Sequence, residues 1–303
     1  MTSRFPRSAI ENPIYGFFDD SYTLAQKGYA GQDKMSVKQF VVMGVLFLII
    51  LGICLLLRKT KKEKLYLIYR ILAIVMPLME IAKIIYSSYF DIINGQDFNW
   101  GGILPLYTCS MLLFFLPFVA WGKGRMKQYS MAFFSSVGLI AGLSNFVYLS
   151  AAGWYPIFTY GCMYSIIYHG AIVFVGLSLL ITGEYKVTWV SILEGMVPIW
   201  LFSILVIPTN LIIKYTVPEA GYVDYMLLMN CNGISFLGDL GYYLSSIHLS
   251  IFFSLLMLVV VYPLGAFLIV SLELGVSRLL VCFLARKRKK KACKNTIFDS
   301  ISK

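Results

Sequence analysis

"VVMGVLFLIILGICLLLRKTKKEK", residues 41–64, runs from solid hydrocarbon into five basic residues. No charge interrupts 41–57. A helix rises ~1.5 Å per residue, so about 20 such residues cross a ~30 Å hydrocarbon core. The run therefore predicts a membrane-spanning helix, and the basic cluster predicts which side its end faces. The same pattern recurs along the chain. Spans are expected at about 38–57, 65–87, 103–121, 130–150, 157–182, 189–213 and 246–272.

The expected fold is an all-α polytopic membrane protein with seven transmembrane helices. Of 303 residues, 59% are apolar and only 14% charged, which excludes an ordinary soluble domain. The net charge is 26 − 15 = +11. In a soluble chain this would suggest nucleic acid; here Lys and Arg collect at the ends of apolar runs, so no nucleic-acid partner is expected. Orientation follows Lys and Arg in short loops. The loops after the first and third spans carry five and three, and the tail from Arg286 carries eight. The loops after the second and fourth carry none. The N-terminus is expected outside and the C-terminus in the cytoplasm, against the mild contrary vote of four basic residues in the N-terminal arm.

Three regions follow: a polar extracytoplasmic arm at 1–37, a membrane domain at 38–285, and a basic cytoplasmic tail at 286–303. No cleavable signal peptide is read in the arm. Segment 214–243 is too short and broken to span, and reads as an outer lid or re-entrant piece. Such backbone is tolerated at membrane depth only under a protein or aqueous cover. Asn232-Gly233 reads as a turn, and Asp239 as an N-cap for the last span. The expected location is the cell (plasma) membrane. Expected partners are membrane lipids, with anionic headgroups at the basic tail.

Polar side chains inside spans are costly and usually face the bundle interior. Glu80 and Lys83 stand three apart on one helical face. Tyr107, Thr108 and Cys109 open the third span. Ser144 and Asn145 close the fourth. Ser165 and His169 sit within the fifth, Asn210 ends the sixth, and Asp239, Ser245, Ser246 and His248 stand at the outer end of the seventh. All fall toward the outer side, which implies one polar cavity there. Such groups also serve simply as interhelical glue, and Glu80–Lys83 also fits a structural ion pair. Cys54, Cys162 and Cys282 read as small apolar fillers. No CxxC spacing occurs, so no zinc or other metal site and no cofactor is expected. Cys109 and His169 have the residue types of Cys–His nucleophilic catalysis, but sixty positions separate them and spacing proves no contact.

"ILPLYTCS" (103–110) resembles the LP-x-x-x-C element of the bacterial YwaF-like membrane proteins, grouped with the animal transmembrane protein 164 family. "PLMEIAKIIY", "SIIYHGAIVFVGLSLLI", "PTNLIIKYTVPEAGYVDYMLL" and "SFLGDLGYYLSSIHLSIFF" resemble further elements of that family, in order, over roughly 40–270. The resemblance implies a thioester-forming acyltransferase that moves fatty acyl chains between phospholipids. Cys109 would be nucleophile and His169 general base. Glu80, Lys83, Tyr107, Asn145, Asn210, Asp239 and His248 would support the site or bind substrate; Glu80 or Asp239 would orient His169, and Asn145 or Asn210 would donate to the oxyanion. Bacterial relatives often carry His two positions before the Cys, where this chain has Tyr107. The alternative is a transporter or binding protein for a small polar solute with no covalent chemistry. A third reading, a seven-span receptor or scaffold, rests on span count alone.

Overall fold

The structure, a computed structural model, describes residues 17–18, 24, 37–93, 95, 103–147, 156, 158–217, 223–228, 235–246 and 248–275. Among them every regular element is helical. The helices are α1 (Val37–Leu57), α2 (Lys62–Ile93), α3 (Met111–Ala120), α4 (Gly124–Ser135), α5 (Val137–Val147), α6 (Tyr160–Thr182), α7 (Val190–Thr216), α8 (Ser235–Ser246) and α9 (Ser250–Gly275). A single 3-10 turn, Tyr225–Leu227, lies between α7 and α8.

Five helices are long and apolar enough to cross a membrane: α1 from Phe40, α2, α6, α7 and α9. The third and fourth expected spans are built differently. Pro105 offers no N–H, and a stack of short turns follows it, with the Ser110 N–H donating to Tyr107 O at 2.9 Å. Regular helix begins only at Met111, and the ten residues of α3 cover about 15 Å. The next apolar stretch is broken at Ser136 (φ −129°, ψ −98°) into α4 and α5.

α2 shows how the bundle is organised. Leu65, Tyr69, Ala73, Met76 and Glu80 are buried, on the three-to-four spacing of one helical stripe. Leu67, Ile71, Ile74, Leu78, Ile81 and Ile85 are exposed on the opposite face. A helix with its carboxylate inside and its aliphatic chains outside suits lipid rather than water. The tyrosine of the inner stripe, Tyr69, shares a 2.8 Å hydrogen bond with Ser178 of α6.

α6 is the hub, packing against α1, α2, α4 and α5, while α7 lies on α4 and α3 on α2. Lipid is as apolar as leucine, so close packing and hydrogen bonds hold these helices. Glycines permit the closest approaches. A Cβ at Gly176 would strike the Phe134 carbonyl oxygen of α4, and one at Gly195 would stand 2.7 Å from Ser136 Oγ. Cys54 and Cys162 are free thiols buried among apolar neighbours, as fillers should be.

The basic end of the bundle has its own polar seam. Lys62 pairs with Glu184 at 2.8 Å, Tyr66 donates to the same carboxylate at 3.1 Å, and Lys127 stands over the Tyr66 ring at 4.1 Å. Beyond the end of α6, Tyr185 donates to Glu194 Oε2 at 2.9 Å. Burial pushes the Tyr185 phenol above its ordinary value, so it remains a donor at neutral pH.

The expected Asp239 cap is corrected. Asp239 is exposed in the middle of α8, a separate helix, and α9 starts at Ser250 after Leu249. The Asn232-Gly233 turn and the tail at 286–303 fall outside the described residues.

Overpacking a tight crossing typically costs about 1–3 kcal/mol. Gly176→Ala is expected to lower the thermal unfolding temperature in detergent. Gly52→Ala, where an added Cβ meets nothing within 4 Å, is expected to leave it unchanged.

Candidate functional site

Glu80 anchors the site. Its residue is 4% exposed, deep on the inner stripe of α2. An isolated carboxylate there would be prohibitively costly, so its oxygens must be occupied. Lys83, one turn on, reaches Oε1 at 2.8 Å, and Tyr164 of α6 donates its hydroxyl to Oε2. Lys83 also faces the Tyr164 ring, 5.7 Å from its centre. The expected Glu80–Lys83 pair therefore exists, joined by a tyrosine from another helix. Tyr160, Tyr164 and Tyr168 follow at four-residue intervals and form an aromatic column along α6.

Cys109 stands at the head of α3, within electrostatic reach of Glu80, Tyr164 and Tyr168. Its thiol is free and half-buried. The sulfur lies against the Ser110 hydroxyl and the backbone amides of Cys109 and Ser110. Ser110 is the N-cap of α3 and makes no side-chain cap bond. The positive end of the helix dipole thus faces any charge that develops on the sulfur or on an oxygen above it.

Tyr168 is 2% exposed, and its buried hydroxyl makes no hydrogen bond. Ser110 is near it but outside hydrogen-bonding geometry, and Cys109 and Glu80 lie close. Leaving such a group unpaired costs about 1–3 kcal/mol.

Residues 223–228 pack close to the same cluster. They are largely buried, although Met226 (φ 57°) and Leu227 (φ 54°) adopt left-handed backbone. Irregular backbone at this depth needs partners. Asn210, fully buried on α7, donates to Tyr225 O at 3.0 Å and accepts the Tyr225 N–H at 3.1 Å. Ser254 of α9 donates to Leu228 O at 2.8 Å, and Tyr262 to Met226 O at 2.6 Å. A π-helical turn at Met257–Val261 immediately precedes Tyr262; such bulges alter which way the following side chains point. Tyr262 is also 3.1 Å from Thr108, and Tyr107 packs edge-on to Tyr225 at 5.2 Å. Buried Asp224 is close to Tyr107. Residues 223–228 are thereby tied to α7, to α9 and to the 107–108 turn beside Cys109.

His169 occupies a different arc of α6. Tyr168 belongs to the column beside Cys109, and His169 is one residue, about 100° of helix, further round. Its backbone faces α5, where a Cβ on Gly142 would stand 3.3 Å from His169 O. Its Nδ1 lies 2.8 Å from Ser165 O and 3.3 Å from Ser165 Oγ. A carbonyl acceptor assigns the proton to Nδ1, which leaves Nε2 as the basic nitrogen.

Asp239 and His248 are exposed, His248 at φ 61° in the turn between α8 and α9. Asn145 is on α5, with its side chain outside the described residues. Among the described residues no group of three or more His, Cys, Asp or Glu could hold a metal ion. Sequence reasoning missed Tyr164, Tyr168, Asp224, Tyr225 and Tyr262. The four-residue tyrosine spacing at 160, 164 and 168 was the available signal.

The TMEM164 family model matches residues 34–264, which takes in every helix up to the middle of α9, and the chain belongs to that family. No curated protein and no solved structure matches it.

Asn210→Ala removes two buried hydrogen bonds to the Tyr225 backbone, each worth about 0.5–1.5 kcal/mol. The variant is expected to unfold at lower temperature and to expose Cys109 to a water-soluble maleimide several-fold faster than the parent.

Proposed function

We propose that this member of the TMEM164 family is a phospholipid acyltransferase that forms a thioester on Cys109. The supporting observation is the free Cys109 thiol at a helix start, close to Glu80, Tyr164 and Tyr168. The chain crosses the membrane seven times in this proposal. α3 with its turns is the third crossing, and α4 with α5 the fourth. The N-terminus is outside, the C-terminus is cytoplasmic, and the site opens toward the outer leaflet of the cell membrane. The basic tail rests on anionic headgroups of the inner leaflet.

Cys109 attacks the acyl carbonyl of a donor lipid. The proton passes to His169 Nε2, directly or through one water. The resemblance supports that pairing, as does the Nδ1 bond to Ser165, which leaves Nε2 basic. The ester bond breaks, and the leaving glycerol oxygen takes the proton. The hydroxyl of a second lipid then attacks the thioester and restores the thiol. Glu80 and Lys83 hold the α2–α6 wall of the pocket, and Asn210 holds its lid.

A second reading, binding or transport of a small polar solute, draws on the break between α4 and α5, since discontinuous helices often line solute sites. Acyl exchange between phospholipid and lysophospholipid in liposomes separates the two. Cys109→Ser is expected to abolish exchange, and His169→Ala to lower it roughly 10²–10⁴-fold. Undiminished exchange by Cys109→Ser removes the covalent mechanism.

A further inference from the structure

We infer that Tyr168 is a further catalytic residue, whose hydroxyl hydrogen-bonds the carbonyl oxygen of the acyl ester while Cys109 attacks it. This rests on the acyl-transfer proposal and adds to it the group that receives the developing negative charge.

A buried phenol in a folded bundle normally finds an acceptor. The neighbouring tyrosine shows this, since Tyr164 donates to Glu80. Tyr69, one bundle layer away, is bonded to Ser178. Tyr168 belongs to the same column as Tyr164, their ring centres 5.4 Å apart, yet its hydroxyl has no hydrogen-bond partner. It is no stray side chain at the lipid boundary, being 2% exposed. The groups around its oxygen are the Cys109 thiol, the Ser110 hydroxyl and the Glu80 carboxylate. The vacant donor thus lies in the neighbourhood of the Cys109 thiol.

A preorganised donor aimed at the nascent oxyanion is among the largest contributions to acyl transfer. As the Cys109 sulfur bonds to the acyl carbon, the carbonyl electron pair moves onto oxygen. Tyr168 O–H donates to that oxygen and keeps its own proton throughout. The pair returns as the ester C–O bond breaks. The thiol proton travels by way of His169 to the leaving oxygen, so Tyr168 is restored unchanged. The second lipid's hydroxyl repeats the sequence on the thioester carbonyl. The backbone amides of Cys109 and Ser110 lie beside the sulfur and add to the receptor for charge.

Tyr168→Phe tests the assignment, because it removes one oxygen that bonds to nothing in the resting protein. Purified full-length protein in liposomes would be given phosphatidylcholine as donor and a lysophospholipid as acceptor. The variant is expected to exchange acyl groups roughly 10²–10³-fold more slowly. Its Cys109 should still react with iodoacetamide at the parental rate, because alkylation builds no oxyanion. Its thermal unfolding should be unchanged or raised. Exchange within threefold of the parent overturns the assignment. Parallel loss of exchange, alkylation and thermal stability also overturns it, since that pattern belongs to a packing role. If Cys109→Ser is inactive while Tyr168→Phe is normal, only Tyr168 is wrong. If the parent exchanges nothing, or Cys109→Ser exchanges normally, the acyl-transfer proposal falls and takes this one with it.

Discussion

Glu80 sits where a carboxylate has no water to turn to, and the surrounding helices are arranged around that constraint. One oxygen takes the Lys83 ammonium from its own helix, the other the Tyr164 hydroxyl from α6. Removing one partner of a buried pair typically costs about 3–5 kcal/mol, because the other charge is then left uncompensated. The bond to Tyr164 therefore fixes the rotation of α6 against α2, and so the direction of the whole tyrosine column. Cys109, at the head of α3, faces that column because α3 packs on α2.

Residues 223–228 obey the same rule. A chain that reverses at membrane depth must replace the hydrogen bonds a helix would have given it. Asn210, Ser254 and Tyr262 supply them, each from a helix that already packs in the bundle. Thr108 adds a link from that support to the cysteine turn. Residues 223–228 and the Cys109 turn therefore share one scaffold, and movement of the first would be felt at residues 107–110.

Much of the fold was legible because hydrocarbon thickness imposes run length. The limits of α1, α6 and α7 lie within three residues of the expected spans. The break at Ser136 was not legible, since no proline marks it and an apolar run reads the same with or without a kink. The site was half legible. Glu80 and Lys83 announced themselves by charge, Cys109 by the polar turn before it, and Asn210 by its place at the end of an apolar run. Tyr164 and Tyr168 did not, because a tyrosine in a span also serves as core. Asp239 misled because a polar residue just before an apolar run has the form of a cap, whereas here a whole helix ends between them. His169 stands one residue beyond the tyrosine column, with its carbonyl oxygen toward α5, a matter of helical phase that no spacing rule decides.

The central claim is that Cys109 carries an acyl group during turnover. Mass spectrometry of protein quenched in acid after brief exposure to phospholipid measures this directly. The account predicts a hydroxylamine-labile fatty acyl mass on the peptide containing Cys109, and none on those containing Cys54 or Cys162. Acyl exchange proceeding with Cys109 unmodified under rapid quench, or an equal acyl mass on the buried thiols, would contradict it.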